Sequence, residues 1–197
     1  AERTREQILD FAEAERKPAL LAYNGEAFRS LDPSGLTEED FGYAQDHFRI
    51  LSGLYGLLRP LDLIAPHRLE MGYKLANPAG ATLYPFWSEA VTAHLNAAME
   101  QARSPWLINL ASLEYSKVVE RNKLRRPLID IQFKETSGDK LRSVALYAKR
   151  ARGMMARYLI KNRIQTVDGI IGFSGNGYTH RPELSTERLL VFTRPQP

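Results

Sequence analysis

The sequence predicts a mixed α/β fold in a single compact domain, with a mixed sheet and surrounding helices. Residues 106–111 have the length and content of a buried strand, and residues 128–135 alternate apolar and polar side chains like a half-buried strand. Residues 86–102 and 148–163 carry the apolar spacing of helices. The length of 197 residues suits one domain or one large domain with lobes.

Composition restricts the classes of protein to which the chain can belong. Hydrophobic residues make up 44% and charged residues 25%, as in ordinary globular proteins. The absence of cysteine excludes a disulfide framework and a thiol peroxidase. No apolar run approaches the roughly 18 residues of a membrane span, and no stretch reads as a signal peptide. We therefore expect a cytoplasmic protein without a membrane partner, and the net charge of +4 favours anionic partners.

The first third of the chain contains short elements separated by turn signals. Residues 2–16 predict a surface helix, and residues 19–23 form a short apolar run that suits either a strand or a helix. Thr37 has the position of an N-cap, and Asp40 lies three residues later, where a capping box places its acid. A helix is therefore expected to begin after Thr37 and to lead into the central stretch.

That central stretch, residues 46–72, predicts a helix-hairpin-helix. Apolar residues at helical spacing run up to Ser52, and a second apolar segment follows, with Pro60 near its start. Between them, Gly53 and Gly56 can adopt positive φ at no steric cost, so the chain can reverse tightly. We expect at least one of these two glycines at positive φ.

A helix-hairpin-helix offers a site for a DNA phosphate. The free N–H groups and the dipole at the start of the second helix both favour an anion. The commoner alternative is a plain αα-corner between two core helices. The candidate phosphate-binding residues of this stretch are Arg49, Ser52, Gly53, Tyr55, Gly56 and Arg59.

A basic helix over residues 148–163 is the second candidate DNA contact. It holds six cations and no acid; because the whole chain carries +4, the remainder carries −2. Such a concentration of charge is what a polyanion recognises, although a solvated helix face explains it equally well. We predict that four of these cations share one concave basic surface with Arg49 or Arg59. These four are Lys149, Arg150, Arg152 and Arg157.

A further ligand site is suggested where a predicted strand meets a helix. Asn109, Ser112 and Glu114 lie at that junction, a common position for ligand sites in α/β folds, and Glu70 is added as a fourth candidate. The simpler interpretation, which we favour, is that Ser112 caps the helix. His67 and Glu70 could share one helical face, but a polar surface contact is the commoner outcome, so we expect no metal and no cofactor.

Several ordered runs resemble one bacterial protein family. They are HFRILSGLYGLLRPLDLIAPHRLEMG (47–72), LYPFW (83–87), NLASLEY (109–115) and AKRARGMMARYLI (148–160). Together they resemble the YaaA family of peroxide-stress proteins over nearly the whole chain. The resemblance implies a cytoplasmic DNA-binding protein with a fold peculiar to the family, a helix-hairpin-helix and a positively charged cleft. It also implies a role in limiting iron-driven oxidative damage.

The chain departs from the family pattern at two places. Family members open with a strand followed by Ser-Pro-Ala-Lys, and this chain, which starts at Ala1, has no such segment. We expect residues 1–197 to form a single domain of this family. We also expect that this domain lacks the N-terminal strand segment of the other members. The family also commonly has Lys-Gly-Asp where this chain has Asn24, Gly25 and Glu26, so a lysine-dependent role at that turn is not expected here.

Two functions remain open at this point. The first is a protein that binds DNA, duplex or distorted, without turnover and without sequence preference. The second is an enzyme that acts on a nucleic acid or another phosphate-bearing substrate through Asn109, Glu114 and Glu70. Because the sequence shows no nucleophile–base pair and no complete metal set, it favours binding. The oligomeric state does not follow from the sequence.

Overall fold

A five-stranded mixed sheet and seven helices form the structure, a computed structural model that describes residues 14–138 and 140–197. The predicted mixed α/β fold in one compact domain is confirmed. The helices are α1 (Ala19–Ala22), α2 (Glu26–Leu31), α3 (Glu38–His47), α4 (Leu83–Gln101), α5 (Leu113–Ser116), α6 (Ala145–Lys161) and α7 (Val167–Ile171). The strands are β1 (Lys17–Pro18), β2 (Ile50–Ser52), β3 (Gly56–Leu58), β4 (Leu63–Ile64), β5 (Leu107–Asn109), β6 (Leu128–Ser137), β7 (Lys140–Arg142), β8 (Thr179–His180) and β9 (Leu189–Pro195).

The long strand β6 lies at the centre of the sheet. It pairs in parallel with β5 on one side and with β9 on the other, and its end pairs with β7 in an antiparallel manner. Ile129, Ile131 and Phe133 alternate along β6 and are buried, as the sequence predicts for a half-buried strand. They pack against α6 and β9, so the main core lies between the sheet and this helix.

Helix α6 contacts two cores at once. Ala148, Ala151 and Met155 belong to the core on the sheet, whereas Ala156 and Ile160 belong to a second core formed with α1, α2, α3 and the β2–β3 pair. The sequence predicts a return strand over residues 141–147, but β7 ends at Arg142 and α6 begins at Ala145. The helix begins early because a Glu135 carboxylate oxygen accepts the Val144 N–H at 3.1 Å.

Of the elements predicted near the N-terminus, the structure confirms two and differs from the third over the residues that it describes. The predicted helix over residues 2–16 lies outside the described residues up to residue 13, and residues 14–16 are not helical. The short apolar run forms α1. The capping box of α3 is confirmed, since the Asp40 N–H donates to Thr37 Oγ1 at 3.2 Å and the Thr37 N–H donates to Asp40 Oδ2 at 3.0 Å.

The prediction of a helix-hairpin-helix over residues 46–72 is wrong. Helix α3 ends at His47, β2 and β3 form an antiparallel β-hairpin, and β4 follows where the second helix was expected. The tight reversal itself is confirmed, because Gly56 has φ +71°. Gly53 has no positive φ.

The hairpin can replace a helix here because apolar side chains lie on both of its faces and each face packs against a core. Ile50 and Leu58 pair across the hairpin and enter the core shared with α6, whereas Leu51 and Leu57 pair on its other face and pack against α4. Each face of the hairpin thus buries apolar side chains, so the apolar run is as compatible with strands as with a helix.

Among the described residues, no helix combines the length and apolarity needed to cross a membrane.

Candidate functional site

The turn of the β2–β3 hairpin is closed upon itself and does not present amides to a ligand. Ser52 Oγ accepts the N–H groups of Leu54 and Tyr55, both at 3.3 Å. A Cβ atom on Gly53 would lie 2.4 Å from the Leu69 carbonyl oxygen, and one on Gly56 would lie 2.6 Å from the Trp87 ring. The packed turn and its bonded N–H groups do not favour the phosphate site at Ser52–Gly56, which stays a prediction.

A polar cluster lies behind this turn, centred on His67. The Nδ1 atom of His67 lies 3.0 Å from the Ala65 carbonyl oxygen, which can only accept, so Nδ1 carries the proton. The Nε2 atom is then an acceptor, and it faces the Tyr23 hydroxyl at 3.3 Å and Ser52 Oγ at 3.4 Å. The Tyr55 hydroxyl accepts the Ala65 N–H at 3.1 Å and so fixes the same segment from the other side. We call Tyr23, Ser52, Tyr55 and His67 the His67 cluster.

The ligand candidates Glu70 and Glu114 lie next to this cluster, around Tyr115. Glu114 Oε1 accepts the Gly72 N–H at 3.0 Å, which joins α5 to the segment that follows His67. Burial, assisted by the negative charges of Glu114 and Glu70, raises the pKa of Tyr115 to about 12. Tyr115 therefore stays a neutral phenol at physiological pH.

The other two ligand candidates have roles within the fold. The Asn109 side chain donates to Asp130 Oδ1 at 2.7 Å and accepts the Ala111 N–H at 3.0 Å, so it ties β5 to β6. Ser112 caps α5 by accepting the Tyr115 N–H at 3.4 Å, as the simpler interpretation of this residue predicts. Within residues 14–138 and 140–197, no three His, Asp or Glu side chains converge to hold a metal ion.

Most cations of the basic helix pair with carboxylates on α2, on α3 and in the turn between them. Arg150 pairs with Glu26 at 2.9 Å, and Arg157 pairs with Asp32 at 3.2 Å while also donating to backbone carbonyls of that turn. Asp40 forms ion pairs with both Lys161, at 2.9 Å, and Arg163, at 2.8 Å.

The predicted cleft would need these cations to be available to a ligand, yet four of the six are held by acids. Lys149 is exposed and Arg152 is half-buried. Arg49 donates to the carbonyls at the end of α3, and Arg59 bonds to Asp62, so a surface shared with α6 stays a prediction.

Three exposed cations surround the junction of the hairpin with α5. Arg68 and Lys74 flank the segment that Glu114 holds, and Lys117 follows α5 directly. None of the three takes part in an ion pair with an acid of the described residues. We call Arg68, Lys74 and Lys117 the junction cations. Sequence reasoning considered Ser52, Tyr55 and His67 but did not bring them together with Tyr23, and it missed the junction cations. The contacts that assemble both groups, Tyr23 with His67 and Gly72 with Glu114, cross long stretches of chain and follow no spacing motif.

Comparison with known proteins identifies close relatives. A protein-family model described as "Peroxide stress protein YaaA" matches residues 1–184. A UPF0246 protein of Aromatoleum aromaticum is 48% identical over 182 residues, which cover 90% of this chain and 70% of the relative. A UPF0246 protein of Tolumonas auensis is 48% identical over 180 residues, covering 91% and 69%. A UPF0246 protein of Caulobacter vibrioides is 46% identical over 195 residues, covering 99% and 76%.

Proposed function

Since the chain belongs to the peroxide stress protein YaaA family, we propose that it acts in peroxide resistance by binding DNA without sequence preference. The binding limits iron-driven damage to the DNA. The family membership supports the role in peroxide stress, and the disposition of charge supports DNA as the partner.

The observation that carries the proposal is the group of junction cations. Arg68, Lys74 and Lys117 are exposed, as is Tyr73 beside Lys74, and the hydrogen bond from the Gly72 N–H to Glu114 joins the two segments that carry these cations. In contrast, the cations of α6 are mostly neutralised by carboxylates. Cations that no acid neutralises are the ones that replace counterions on a phosphate backbone. Backbone contacts carry no sequence information, so duplexes of different sequence should bind alike.

A binding experiment with charge variants tests the partner. The triple variant Arg68→Gln/Lys74→Gln/Lys117→Gln should lose at least about 10-fold in affinity for duplex DNA, because each phosphate contact contributes. A matched control removes three cations that carboxylates already hold, Lys123→Gln/Arg125→Gln/Arg181→Gln. The control has the same net charge and should retain most of the affinity. Equal losses in both variants would show that net charge alone acts, and the junction cations would then have no special role.

A second experiment tests protection. Supercoiled plasmid is exposed to Fe(II) and hydrogen peroxide with and without the protein, and strand breaks are counted on a gel. Protection should follow DNA binding, so the junction variant should protect less than the matched control. If all three proteins protect equally, DNA binding is not the route to peroxide resistance.

An enzyme acting on a phosphate-bearing substrate is the second candidate function. One observation favours it: the neutral phenol of Tyr115 lies near Glu70 and Glu114, and the His67 acceptor nitrogen faces the hydroxyls of Tyr23 and Ser52. Such groups can transfer protons. Prolonged incubation with labelled DNA would reveal turnover, and a wild-type product that is missing with His67→Gln would favour the enzyme.

A further inference from the structure

A cavity of about 620 Å³ lies beside Tyr23, between the α1–α2 connection and the segment after β4. This volume falls within the range that small-molecule sites occupy. Its lining includes the rings of Tyr23 and Phe28 and the amide of Asn24. The cations Lys17 and Arg29 and the acids Glu15 and Asp32 also line it. Apolar and polar side chains thus line the same cavity, as they commonly do in binding sites.

The aromatic part of the wall is held in a fixed position. The Tyr23 and Phe28 rings stack with centroids 5.0 Å apart and an interplanar angle of 23°. The Tyr23 hydroxyl bonds to His67 Nε2, and His67 is itself fixed by the Ala65 carbonyl oxygen. The phenol is thus anchored at its far end, so the paired rings form a preorganised surface on which a flat ring can stack without losing further side-chain entropy.

The two cations of the cavity can leave their present ion pairs and bind a ligand at little cost in free energy. Lys17 lies 3.8 Å from Glu15, and Arg29 lies 3.0 Å from Glu26. The side chains of Lys17 and Arg29 are 60% and 61% exposed, and exposed ion pairs of this kind contribute little. By contrast, the cavity acid Asp32 is occupied, since it accepts the Ser34 hydroxyl and pairs with Arg157.

We infer that this cavity binds a nucleoside monophosphate, with the base against the Tyr23–Phe28 rings and the phosphate between Lys17 and Arg29. Stacking on a fixed aromatic surface suits any nucleobase, and Arg29 can bind two phosphate oxygens with its planar guanidinium. Asn24, exposed beside Tyr23, offers both a donor and an acceptor to the edge of the base. The site is separate from the junction cations and does not depend on DNA binding.

Calorimetric titration of the full chain with AMP, GMP, CMP and UMP tests the inference. At least one of them should bind with a dissociation constant below roughly 1 mM. Phe28→Leu keeps an apolar side chain in the second core but removes the ring, and should weaken binding about 10-fold. Arg29→Gln should weaken binding of the nucleotide but not of its nucleoside, because only the nucleotide carries the phosphate.

Controls separate this site from general attraction to anions. Arg125→Gln, which removes an exposed cation paired with Glu100, should leave nucleotide binding unchanged. Melting curves of each variant show whether it is folded, and Tyr23→Phe offers a second probe that keeps the ring and removes the bond to His67. The inference is overturned if no mononucleotide binds, if Phe28→Leu and Arg29→Gln both bind as wild type, or if inorganic phosphate binds as tightly as the nucleotides.

Discussion

At the scale of single residues, carboxylates determine which cations remain available. Asp40 is the clearest case, because it is 4% exposed and accepts bonds from Lys161, Arg163 and the backbone of Thr37. The bond from Lys161, the Thr37 N–H and the bond from Arg163 together hold the pKa of Asp40 well below its usual range. Two cations that the sequence assigns to a polyanion therefore join the end of α6 to α3 instead.

Asp40→Asn should destabilise the protein and change its response to acid. Removing the charge leaves Lys161 and Arg163 without a carboxylate partner, and we expect a loss of about 4–8 °C in melting temperature. The folded-state pKa of Asp40 lies below the unfolded value of about 3.9. Its contribution is therefore fully present above that pH and is lost as the pH falls through the folded-state value. Melting curves between neutral and acidic pH measure this.

The difference between wild type and Asp40→Asn should accordingly shrink as the pH is lowered below about 4. A gap that stays constant down to acidic pH would show that the ionised carboxylate does not act as described. Glu38→Gln serves as a control, because Glu38 is exposed in the first turn of the same helix.

At the scale of elements, the hairpin shows what local sequence could and could not predict. The glycine reversal, the capping box of α3 and the Ser112 cap follow from short-range chemistry and are present. Whether the segments on both sides of the reversal become strands or helices depends on the cores against which Leu51, Leu57 and Leu58 pack. Those cores are formed by residues distant in the sequence, so short-range patterns do not predict the outcome. The pairing of α6 cations with acids on α2 and α3 could not be predicted from the sequence for the same reason, because the partners are more than 100 residues apart.

Gly56→Ala tests the hairpin geometry. Gly56 has φ +71°, and an added Cβ would lie 2.6 Å from the Trp87 ring, so both the backbone and the packing oppose a side chain. We expect a loss of roughly 1–3 kcal/mol in the free energy of unfolding, measured by denaturant titration. Gly177→Ala is the matched control, since Gly177 also has positive φ but has nothing within 4 Å. If the two variants lose equal stability, contact with Trp87 contributes nothing.

Gly153→Ala tests the crossing of α6 over α2. A Cβ on Gly153 would lie 2.0 Å from the Ala27 carbonyl oxygen, so the two helices would have to separate. We expect the free energy of unfolding to fall by about 1–3 kcal/mol. Gly42, within α3, has nothing within 4 Å, so Gly42→Ala should instead stabilise by about 0.4–1 kcal/mol through the unfolded chain. A neutral Gly153→Ala would contradict the close contact.

At the scale of the whole molecule, the net charge of +4 is distributed unevenly. Acids on α2, on α3 and in the turn between them pair with four of the six cations of residues 148–163, while the junction cations stay exposed. The sequence could identify the concentration of charge in residues 148–163, but it could not show that the fold places acids opposite that segment. We therefore take the junction cations, rather than the basic helix, as the candidate DNA contact.

The salt dependence of DNA affinity tests this account most directly. Each phosphate contact on duplex DNA contributes about −0.9 to the slope of log affinity against log salt, so three junction cations predict a slope of about −2.7. The variant Arg68→Gln/Lys74→Gln/Lys117→Gln should bring the slope close to zero, whereas Arg150→Gln, which removes a paired cation of α6, should leave it nearly unchanged. A wild-type slope near zero, or a triple variant that keeps the wild-type slope, would contradict the account.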